Sequence, residues 1–464
     1  MGGGAPGVPG GEGVRWRRGG WLSAGTMGTL RPILSHPVSR NAAALYAQQL
    51  GLILLPLVTI PYLVRVLGVE GYGSVAFGQG LVAYFAVAVD YGFAWSATRR
   101  ISVNRRDLRA VGGIAAGVWA AKLALFVIGA VMLACLILAV ARLRSWASLL
   151  LLLYASLLGN VLFPGWLFQG MEQLGAPTAV ALTWRVLTVV AIFLLVRRPD
   201  DVHVYAAILA AAGIATGITG FLVARRMFRL PPVLPRVEEV REALREGWTL
   251  FVSNAAVTVY TAGNAFVLGM LGTPPAVGYY SAAERIVRGV TALPAPLSLA
   301  LYPALSRLAA SSPAAAVRWS GRLLTVMATI GLLLSAIIFA TAPRIVTMVL
   351  GPGFAPAVTP LRVLAVLPVL VGISNVLGVQ TLLPFGRDRA FTAILVAAGA
   401  LNILLAVVLV PAWQQTGMAA AVAASELFVV LAMALYLRLT PAMRGVSHGL
   451  GATDVDIRPA GMAG

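Results

Sequence analysis

The sequence predicts an all-α integral membrane protein with twelve transmembrane helices, arranged as two bundles of six. Three observations support this: the composition is apolar, apolar runs of span length recur along the chain, and the arginines gather on one side of these runs. Of the 464 residues 59% are hydrophobic and 11% are charged, and the mean hydropathy is +0.88. These values exclude an ordinary soluble protein. Because lipid offers the backbone no hydrogen-bond partner, helices of about 20 apolar residues are the expected spans.

The apolar runs, bounded by charges or by Gly and Pro, place the elements in order. The first six spans are predicted near 42–66, 74–96, 111–140, 146–170, 176–196 and 203–223. The second six are predicted near 249–271, 279–304, 323–342, 359–383, 391–411 and 417–437. The chain then divides into a cytoplasmic tail (1–40), an N-terminal bundle (41–224), a linker (225–247), a C-terminal bundle (248–437) and a second cytoplasmic tail (438–464).

The segments outside the spans have compositions of their own. The Gly/Pro/Arg-rich tail 1–40 is expected to be disordered, and Met27 within it is a candidate start. In the linker, RVEEVREALREGW places apolar side chains on one helical face, which predicts an amphipathic helix on the inner membrane surface.

The arginine distribution predicts the orientation, because Lys and Arg are retained on the cytoplasmic side of short loops. One side of the predicted spans collects 24 arginines, and both termini lie there. The other side has six, which are Arg65, Arg142, Arg144, Arg197, Arg198 and Arg344. Both termini are therefore expected in the cytoplasm. The arginines alternate with apolar spans, so the net charge of +19 indicates contact with anionic lipid headgroups rather than nucleic acid.

The two halves also resemble each other. LGVEGYGSVAFGQGL at 67–81 returns loosely as LGTPPAVGYYSAAERI at 271–286, and the tripeptide NVL at Asn160 returns at Asn375. Internal repeats are typical of transporters that bind substrate between the repeats. A single cysteine, Cys135, excludes a disulfide framework, and three dispersed histidines do not suggest a metal site, so no cofactor is expected.

Ionisable side chains inside the spans are the candidate functional residues, because a charge in hydrocarbon is costly. The basic ones are Lys122, Arg185, Arg285, Arg288 and Arg362, and the acidic ones are Asp90, Glu284 and Glu426. Lys122 and Arg185 lie about 15 Å from the cytoplasmic ends of their helices, near mid-membrane. An excess of positive charge suits an anionic substrate, for which we expect Lys122, Arg185, Arg285 and Arg288 to supply the binding side chains.

Each of these residues also has a local interpretation. Lys122 and Arg185 could pair internally, for instance with Asp90 or a buried carbonyl, and Glu284 is spaced to pair with Arg288. Asp90 also stands close in sequence to the arginines at 99 and 100, and Arg362 is near enough to a helix end to snorkel. The three acidic residues Asp90, Glu284 and Glu426 are the candidates for coupling to H⁺ or Na⁺.

The stretch FPGWLFQGMEQL (163–174) turns from apolar to polar within four residues. Its pattern FP-x-WL-F-Q-G-x-E resembles the Wzx-type polysaccharide flippases of the MOP (MATE-like) superfamily. PYLVRVLGVEGYGSVAF, VDYGFAWSATRRIS, VGYYSAAERI and ISNVLGVQTLLPFG resemble other family segments in the same order, between about residues 40 and 438. Two positions depart from the pattern: Asn264 stands where many relatives carry an aspartate, and Arg100 where a glutamate often follows arginine.

The resemblance implies a MATE-like fold and a transport function without covalent chemistry, so not an enzyme. The implied activity is movement of undecaprenyl-diphosphate-linked oligosaccharide from the cytoplasmic to the periplasmic leaflet by alternating access of the two halves. This would serve cell-surface polysaccharide assembly, such as O-antigen for lipopolysaccharide, at the bacterial cytoplasmic (inner) membrane. The implied partners are the lipid-linked oligosaccharide, membrane lipids and the polysaccharide polymerase machinery.

The sequence leaves two alternative functions open. A MATE-like multidrug or cation exporter predicts an acidic or aromatic cavity, whereas five basic and three acidic residues lie within the spans. A membrane polysaccharide polymerase or ligase needs catalytic residues, typically in a large outer loop. Here the predicted outer loops are short and hold no carboxylate pair or Ser/His/Asp arrangement. The related lipid II flippase usually has fourteen spans, two more than predicted here.

Overall fold

The structure, a computed structural model, describes residues 37–440 apart from Pro232 and Pro294. The predictions for 1–36 and 441–464 lie outside the described residues. The described part is helical, without a strand. Its first nine helices are α1 (Pro37–Asp90), α2 (Phe93–Asn104), α3 (Leu108–Ala139), α4 (Ala141–Arg144), α5 (Ala147–Ala155), α6 (Leu157–Leu162), α7 (Gly165–Gly170), α8 (Gly175–Leu195) and α9 (Val202–Phe228). The others are α10 (Val237–Thr261), α11 (Asn264–Leu271), α12 (Pro274–Thr291), α13 (Ala295–Ser311), α14 (Pro313–Ile345), α15 (Val358–Leu364), α16 (Leu367–Leu377) and α17 (Asp388–Leu439).

Eight helical stretches of the described chain are long and apolar enough to cross a membrane. A helical multi-pass membrane protein is therefore confirmed, whereas the number twelve and the two bundles of six stay predictions. Two of the longest helices contain one residue with a non-helical backbone, Gly68 in α1 and Gln414 in α17. These breaks fall where the sequence predicts the loops after the first and the eleventh span.

The two breaks are stabilised differently. Gly68 has φ 69°, a conformation that glycine adopts without steric cost. Gln414 has φ 47°, which is strained for a residue with a side chain. The Gln414 Oε1 atom accepts a hydrogen bond of 3.0 Å from the backbone N–H of Thr273, and this bond fixes the kinked position.

The position of the linker on the membrane surface stays a prediction. Its amphipathic segment is helical, as the sequence predicts, and forms the first part of α10, which continues towards the C-terminal half. It packs against α2 and α3 because Gly117 lets Glu239 approach closely: a Cβ atom on Gly117 would lie 2.9 Å from that of Glu239. A salt bridge of 2.6 Å between Arg100 and Glu242 holds the same face.

The two halves meet along the predicted repeats. The part of α1 after Gly68 crosses α12, and a Cβ atom on Gly73 would lie 2.7 Å from the carbonyl oxygen of Pro274. Glycine is thus required at Gly73. One large buried cluster includes Phe77 from the first half and Tyr280 from the second.

Two arginines join the halves at the same end of the molecule, which the arginine asymmetry places outside. Arg65 donates to the carbonyl oxygen of Met348, and Arg142 donates to the carbonyl oxygens of Met270 and Gly272. We refer to these contacts as the outer arginine contacts. They join the two halves at the end that the arginine asymmetry predicts to be the outer one.

Candidate functional site

Three polar cavities lie within and between the halves. The N-half cavity has a volume of about 330 Å³, and the central and C-half cavities each measure about 400 Å³. The polar lining of the N-half cavity comprises Asp90, Lys122, Asn160, Gln169 and Thr178. That of the central cavity comprises Gln79, Ser281, Glu284, Arg285 and Arg288. That of the C-half cavity comprises Asn264, Glu284, Arg288, Thr291, Ser374, Asn375, Asn402 and Glu426. Glu284 and Arg288 line both of the last two cavities.

Lys122 is the centre of a polar cluster in the N-half cavity. Its Nζ atom lies 3.1 Å from Asp90 Oδ1, 2.9 Å from the Asn160 carbonyl oxygen and 3.0 Å from Asn160 Oδ1. Asn160 Nδ2 in turn donates to Asp90 Oδ2 at 3.1 Å. The Lys122 side chain is 3% exposed, whereas the Asp90 side chain is 50% exposed. The three donors of the ammonium are therefore satisfied inside the protein, whereas the carboxylate is half exposed and lines the cavity.

The segment 163–174 forms one wall of this cavity. Phe163 and Pro164 interrupt the helical run between α6 and α7, and Gly165, Trp166 and Gln169 line the cavity after the interruption. Glu172 points elsewhere and forms a salt bridge of 2.8 Å with Arg105. The change from apolar to polar sequence thus reflects both the cavity wall and the helix end.

The internal repeat gives the cluster a counterpart in the second half. Asn375, which the NVL repeat aligns with Asn160, accepts a hydrogen bond of 2.7 Å from Ser298 Oγ. Ser298 lies 208 residues after Asp90, close to the offset of 207 between Tyr72 and Tyr279. The counterpart is therefore neutral. At the position that corresponds to the Lys122 side chain of the first half, the second half has a cavity of about 60 Å³, lined by Met327, Ile330, Gly331 and Leu334 of α14.

The central cavity carries two arginines with different partners. Arg288 pairs with Glu284 at 2.8 Å, as the i,i+4 spacing predicts, and Glu284 also accepts a hydrogen bond of 3.0 Å from the Tyr280 hydroxyl. Arg285 instead donates to Gln79 Oε1 at 2.5 Å, and no carboxylate of the described chain forms a salt bridge with it. Its positive charge is thus held in place by a neutral amide.

Glu426 lies in the C-half cavity among amide side chains. Its Oε1 atom accepts a hydrogen bond of 2.6 Å from Ser374 Oγ. Asn402 is 1% exposed, and its Nδ2 atom has no hydrogen-bond partner among the described residues. Within the same residues, no three His, Cys, Asp or Glu side chains come together in a way that would hold a metal ion.

One of the sequence interpretations is changed by these contacts, and the snorkelling of Arg362 stays a prediction. Asp90 does not pair with the arginines at 99 and 100, because those side chains face Glu242 and Glu246 of α10. The Arg362 guanidinium lies 5.5 Å above the ring of Phe339 rather than in one of the three cavities.

Arg185 is separated from the Lys122 cluster. It lies on α8 one turn beyond Ala181, which lines the N-half cavity, but Arg185 itself does not. Among the described residues none bonds to its half-buried guanidinium. The prediction that Arg185 and Lys122 bind substrate therefore stays a prediction.

The comparisons with known proteins agree with this architecture. The model of the family described as "Polysaccharide biosynthesis protein" matches residues 38–309. A putative O-antigen transporter of Escherichia coli (strain K12) is 31% identical over 86% of this chain and 96% of its own length. Another, from Shigella dysenteriae, is 26% identical over 82% and 95%, respectively.

Solved structures share the fold at low sequence identity. The lipid II flippase MurJ in an inward closed conformation has a TM-score of 0.65 at 11% identity, with 88% of this chain and 90% of that chain covered. An inward-facing MATE family multidrug resistance transporter of the MOP superfamily has a TM-score of 0.60 at 15% identity, with 88% and 97% covered. These likenesses show a fold common to the MOP superfamily. The chain therefore belongs to the polysaccharide biosynthesis protein family as a Wzx-type membrane transporter, with a fold that MOP superfamily transporters share.

Proposed function

We propose that this chain moves an undecaprenyl-diphosphate-linked oligosaccharide from the cytoplasmic to the periplasmic leaflet of the bacterial inner membrane. The observation that carries the proposal is Arg285 in the cavity between the two halves, with Arg288 one turn further along α12. The names of the relatives, O-antigen transporters and a lipid II flippase, support the same substrate class.

Arg285 is suited to a diphosphate because its charge is not cancelled by a carboxylate. Gln79 accepts a hydrogen bond from one of its guanidinium nitrogens, and among the described residues no salt bridge occupies the others, which can bind phosphate oxygens in pairs. Arg288 is balanced by Glu284, so we assign it a supporting role. Lys122 and Arg185 remain proposed parts of the substrate route, with Lys122 held by Asp90 and Asn160.

The outer arginine contacts support alternating access as the mechanism. These contacts are hydrogen bonds between arginine side chains and backbone carbonyls, beside the close packing of α1 on α12, and water can replace such bonds when the halves separate. In the proposed cycle these contacts break as the outer end opens. The lipid tail stays in the bilayer while the saccharide crosses between the halves.

The energy source is proposed to be H⁺ or Na⁺, with Asp90, Glu284 and Glu426 as candidate coupling residues. Glu426 has only one hydrogen-bond donor partner in the described chain, Ser374, so its carboxyl is suited to exchange a proton or cation. The polysaccharide polymerase machinery is the proposed downstream partner.

A cation or drug exporter is the second candidate function. The acidic C-half cavity favours it, because Glu284 and Glu426 outnumber Arg288 there. An exporter would confer resistance to cationic compounds that depends on Glu426 and not on Arg285. The two candidates therefore differ in which residue is essential.

The test of the proposed function is export in a strain that lacks the gene. Without the protein, undecaprenyl-linked saccharide should accumulate on the cytoplasmic leaflet, and the wild-type gene should restore export. Arg285→Ala should abolish restoration and Arg285→Lys should retain part of it, since an ammonium keeps the charge but not the paired geometry. Arg362→Ala is the control, since Arg362 packs on Phe339 outside the cavities.

Export must be compared at equal membrane abundance of each variant. Wild-type export by Arg285→Ala, or resistance to cationic drugs without saccharide accumulation in the deletion strain, would overturn the proposal. Lys122→Ala, Arg185→Ala and Arg185→Lys belong to the same series, in which Arg185→Lys should impair export less than Arg185→Ala.

A further inference from the structure

The N-half cavity has a different chemistry from the central cavity. Its single basic group, Lys122, is buried and neutralised, whereas the carboxylate of Asp90 is half exposed. We infer that this cavity is a saccharide subsite, which binds the hydroxyl groups of a sugar ring carried by the lipid diphosphate. The inference rests on the proposed function and adds the place where the sugar is recognised.

The Asp90 carboxylate is a preorganised acceptor. Lys122 bonds to one of its oxygens and Asn160 Nδ2 to the other, so the carboxylate cannot rotate freely. A carboxylate has about four lone-pair sites, and these two bonds leave the other sites for a ligand. Adjacent sugar hydroxyls are O–H donors with a spacing that a fixed carboxylate can accept in pairs. Lys122 acts here as a positioning residue for Asp90.

Neutral polar groups complete the lining. Gln169 is exposed and Thr178 is buried, and neither side chain bonds to another described residue. Trp166 is 4% exposed, and its buried Nε1–H has no hydrogen-bond partner among the described residues. The exposed amide of Gln169 and the hydroxyl-bearing Thr178 therefore line the same cavity as the carboxylate and are the candidate partners for sugar hydroxyls, whereas the Trp166 indole N–H is buried away from it.

Charge and size exclude the other parts of the substrate from this cavity. A diphosphate would face the exposed carboxylate of Asp90, while the three donors of Lys122 are already used. The isoprenoid tail would bury the same carboxylate in hydrocarbon at a large cost. The volume of about 330 Å³ lies at the lower end of the range for small-molecule sites, which suits one sugar residue rather than a chain.

The second half offers an internal comparison. At the repeat-related position Ser298 and Asn375 form a neutral pair, and the adjoining cavity of about 60 Å³ is too small for a sugar. At these repeat-related positions the described residues place a carboxylate and space beside it in the N-half, and a neutral pair with little space in the C-half. Ser298→Ala is therefore the matched control for Asp90→Asn.

The test compares the binding of two probes to the purified full-length protein in lipid nanodiscs. One is the lipid-linked saccharide extracted from the deletion strain, and the other is undecaprenyl diphosphate without sugar. Asp90→Asn and Gln169→Ala should each raise the Kd for the saccharide probe about tenfold and leave the Kd for undecaprenyl diphosphate unchanged. Ser298→Ala should change neither.

Arg285→Ala separates this inference from the proposed function, because it should weaken both probes. If Arg285→Ala has no effect but Asp90→Asn and Gln169→Ala still discriminate between the probes, the subsite stands and the diphosphate site is wrong. Should Asp90→Asn fail to fold, Gln169→Ala decides, since Gln169 is exposed and is not bonded to a described residue. An unchanged Kd for the saccharide probe with Gln169→Ala, or equal losses for both probes, overturns the subsite.

Discussion

Removing Asp90 should destabilise the protein more than removing Lys122. In Asp90→Ala the Lys122 ammonium, 3% exposed, would keep only the two neutral acceptors of Asn160. In Lys122→Met the apolar chain of similar length fills the same space, and Asp90 remains half exposed to water. A buried charge without its counter-ion is the more costly product.

The coupling energy follows from the geometry of the pair. Two unit charges 3.1 Å apart attract by about 5 kcal/mol at an effective dielectric constant of about 20, before desolvation is subtracted. Breaking a fully buried pair costs about 3–5 kcal/mol. Because the Asp90 side chain is 50% exposed, water screens this pair, and we expect a coupling energy of about 2 kcal/mol.

A double-mutant cycle measures this value. The free energies of unfolding of Asp90→Ala, Lys122→Met and the double variant would be obtained by detergent titration in mixed micelles. The double variant should be more stable than Asp90→Ala alone. The cycle of Ser298→Ala with Asn375→Ala is the control, and its neutral hydrogen bond should give about 1 kcal/mol or less. Additivity of the Asp90 and Lys122 variants within about 0.5 kcal/mol would refute the reasoning.

Three further predictions concern the outer contacts, the topology and a loop carboxylate. In a Cys135→Ser background, a cysteine introduced at position 83 lies in the central cavity, and Arg142→Ala should increase its labelling from outside several-fold. Unchanged labelling would contradict a role of Arg142 in closing the outer end. Single cysteines at exposed positions 200 and 353 should be labelled from outside and those at 104 and 236 protected; the reverse pattern would refute the orientation. The Asp201 carboxylate, before α9, accepts hydrogen bonds from the backbone N–H groups of Arg197 and Arg198, and these bonds lower its pKa. Because the pKa is lowered, the ionised carboxylate stabilises the fold above the ordinary value of 3.8, and this stabilisation is lost as the pH falls through the folded-state pKa. Asp201→Asn should therefore be less stable than the wild type at pH 7 and equally stable in acid, which thermal unfolding at several pH values would measure.

The contacts that sequence could predict are local or repeated. The Glu284–Arg288 pair follows from helical spacing alone. The NVL repeat aligns two asparagines that bond to repeat-related residues in opposite directions, since Asn160 donates to Asp90 and Asn375 accepts from Ser298. The likeness of the halves also locates their contact, since Gly73 and the region of Pro274 belong to the repeated segments.

The Asp90–Lys122 pair was one of several alternatives from the sequence, and spacing could not select it because it joins helices 32 residues apart in sequence. Sequence proximity favoured the arginines at 99 and 100, but Tyr91 and Gly92 both have positive φ and separate α1 from α2. The arginines then turn towards α10. For Arg185, the rise per residue predicts depth in the membrane but not the direction of the side chain, because lipid-facing and protein-facing positions are both apolar.

The arrangement of charge over two similar halves bears on how one ligand would be held. The repeat supplies equivalent asparagines, yet a charged partner accompanies only Asn160, and the Arg285 guanidinium without a carboxylate partner lies between the halves. An anchored carboxylate suits hydroxyls, and a guanidinium suits phosphate. On the proposed function, a lipid-linked saccharide would place its phosphates at the central cavity and its sugar in the N-terminal half. Movement of the halves would then break the two sets of contacts at different times, because Asp90, Lys122 and Asn160 all belong to one half whereas the hydrogen bond between Gln79 and Arg285 joins the two halves.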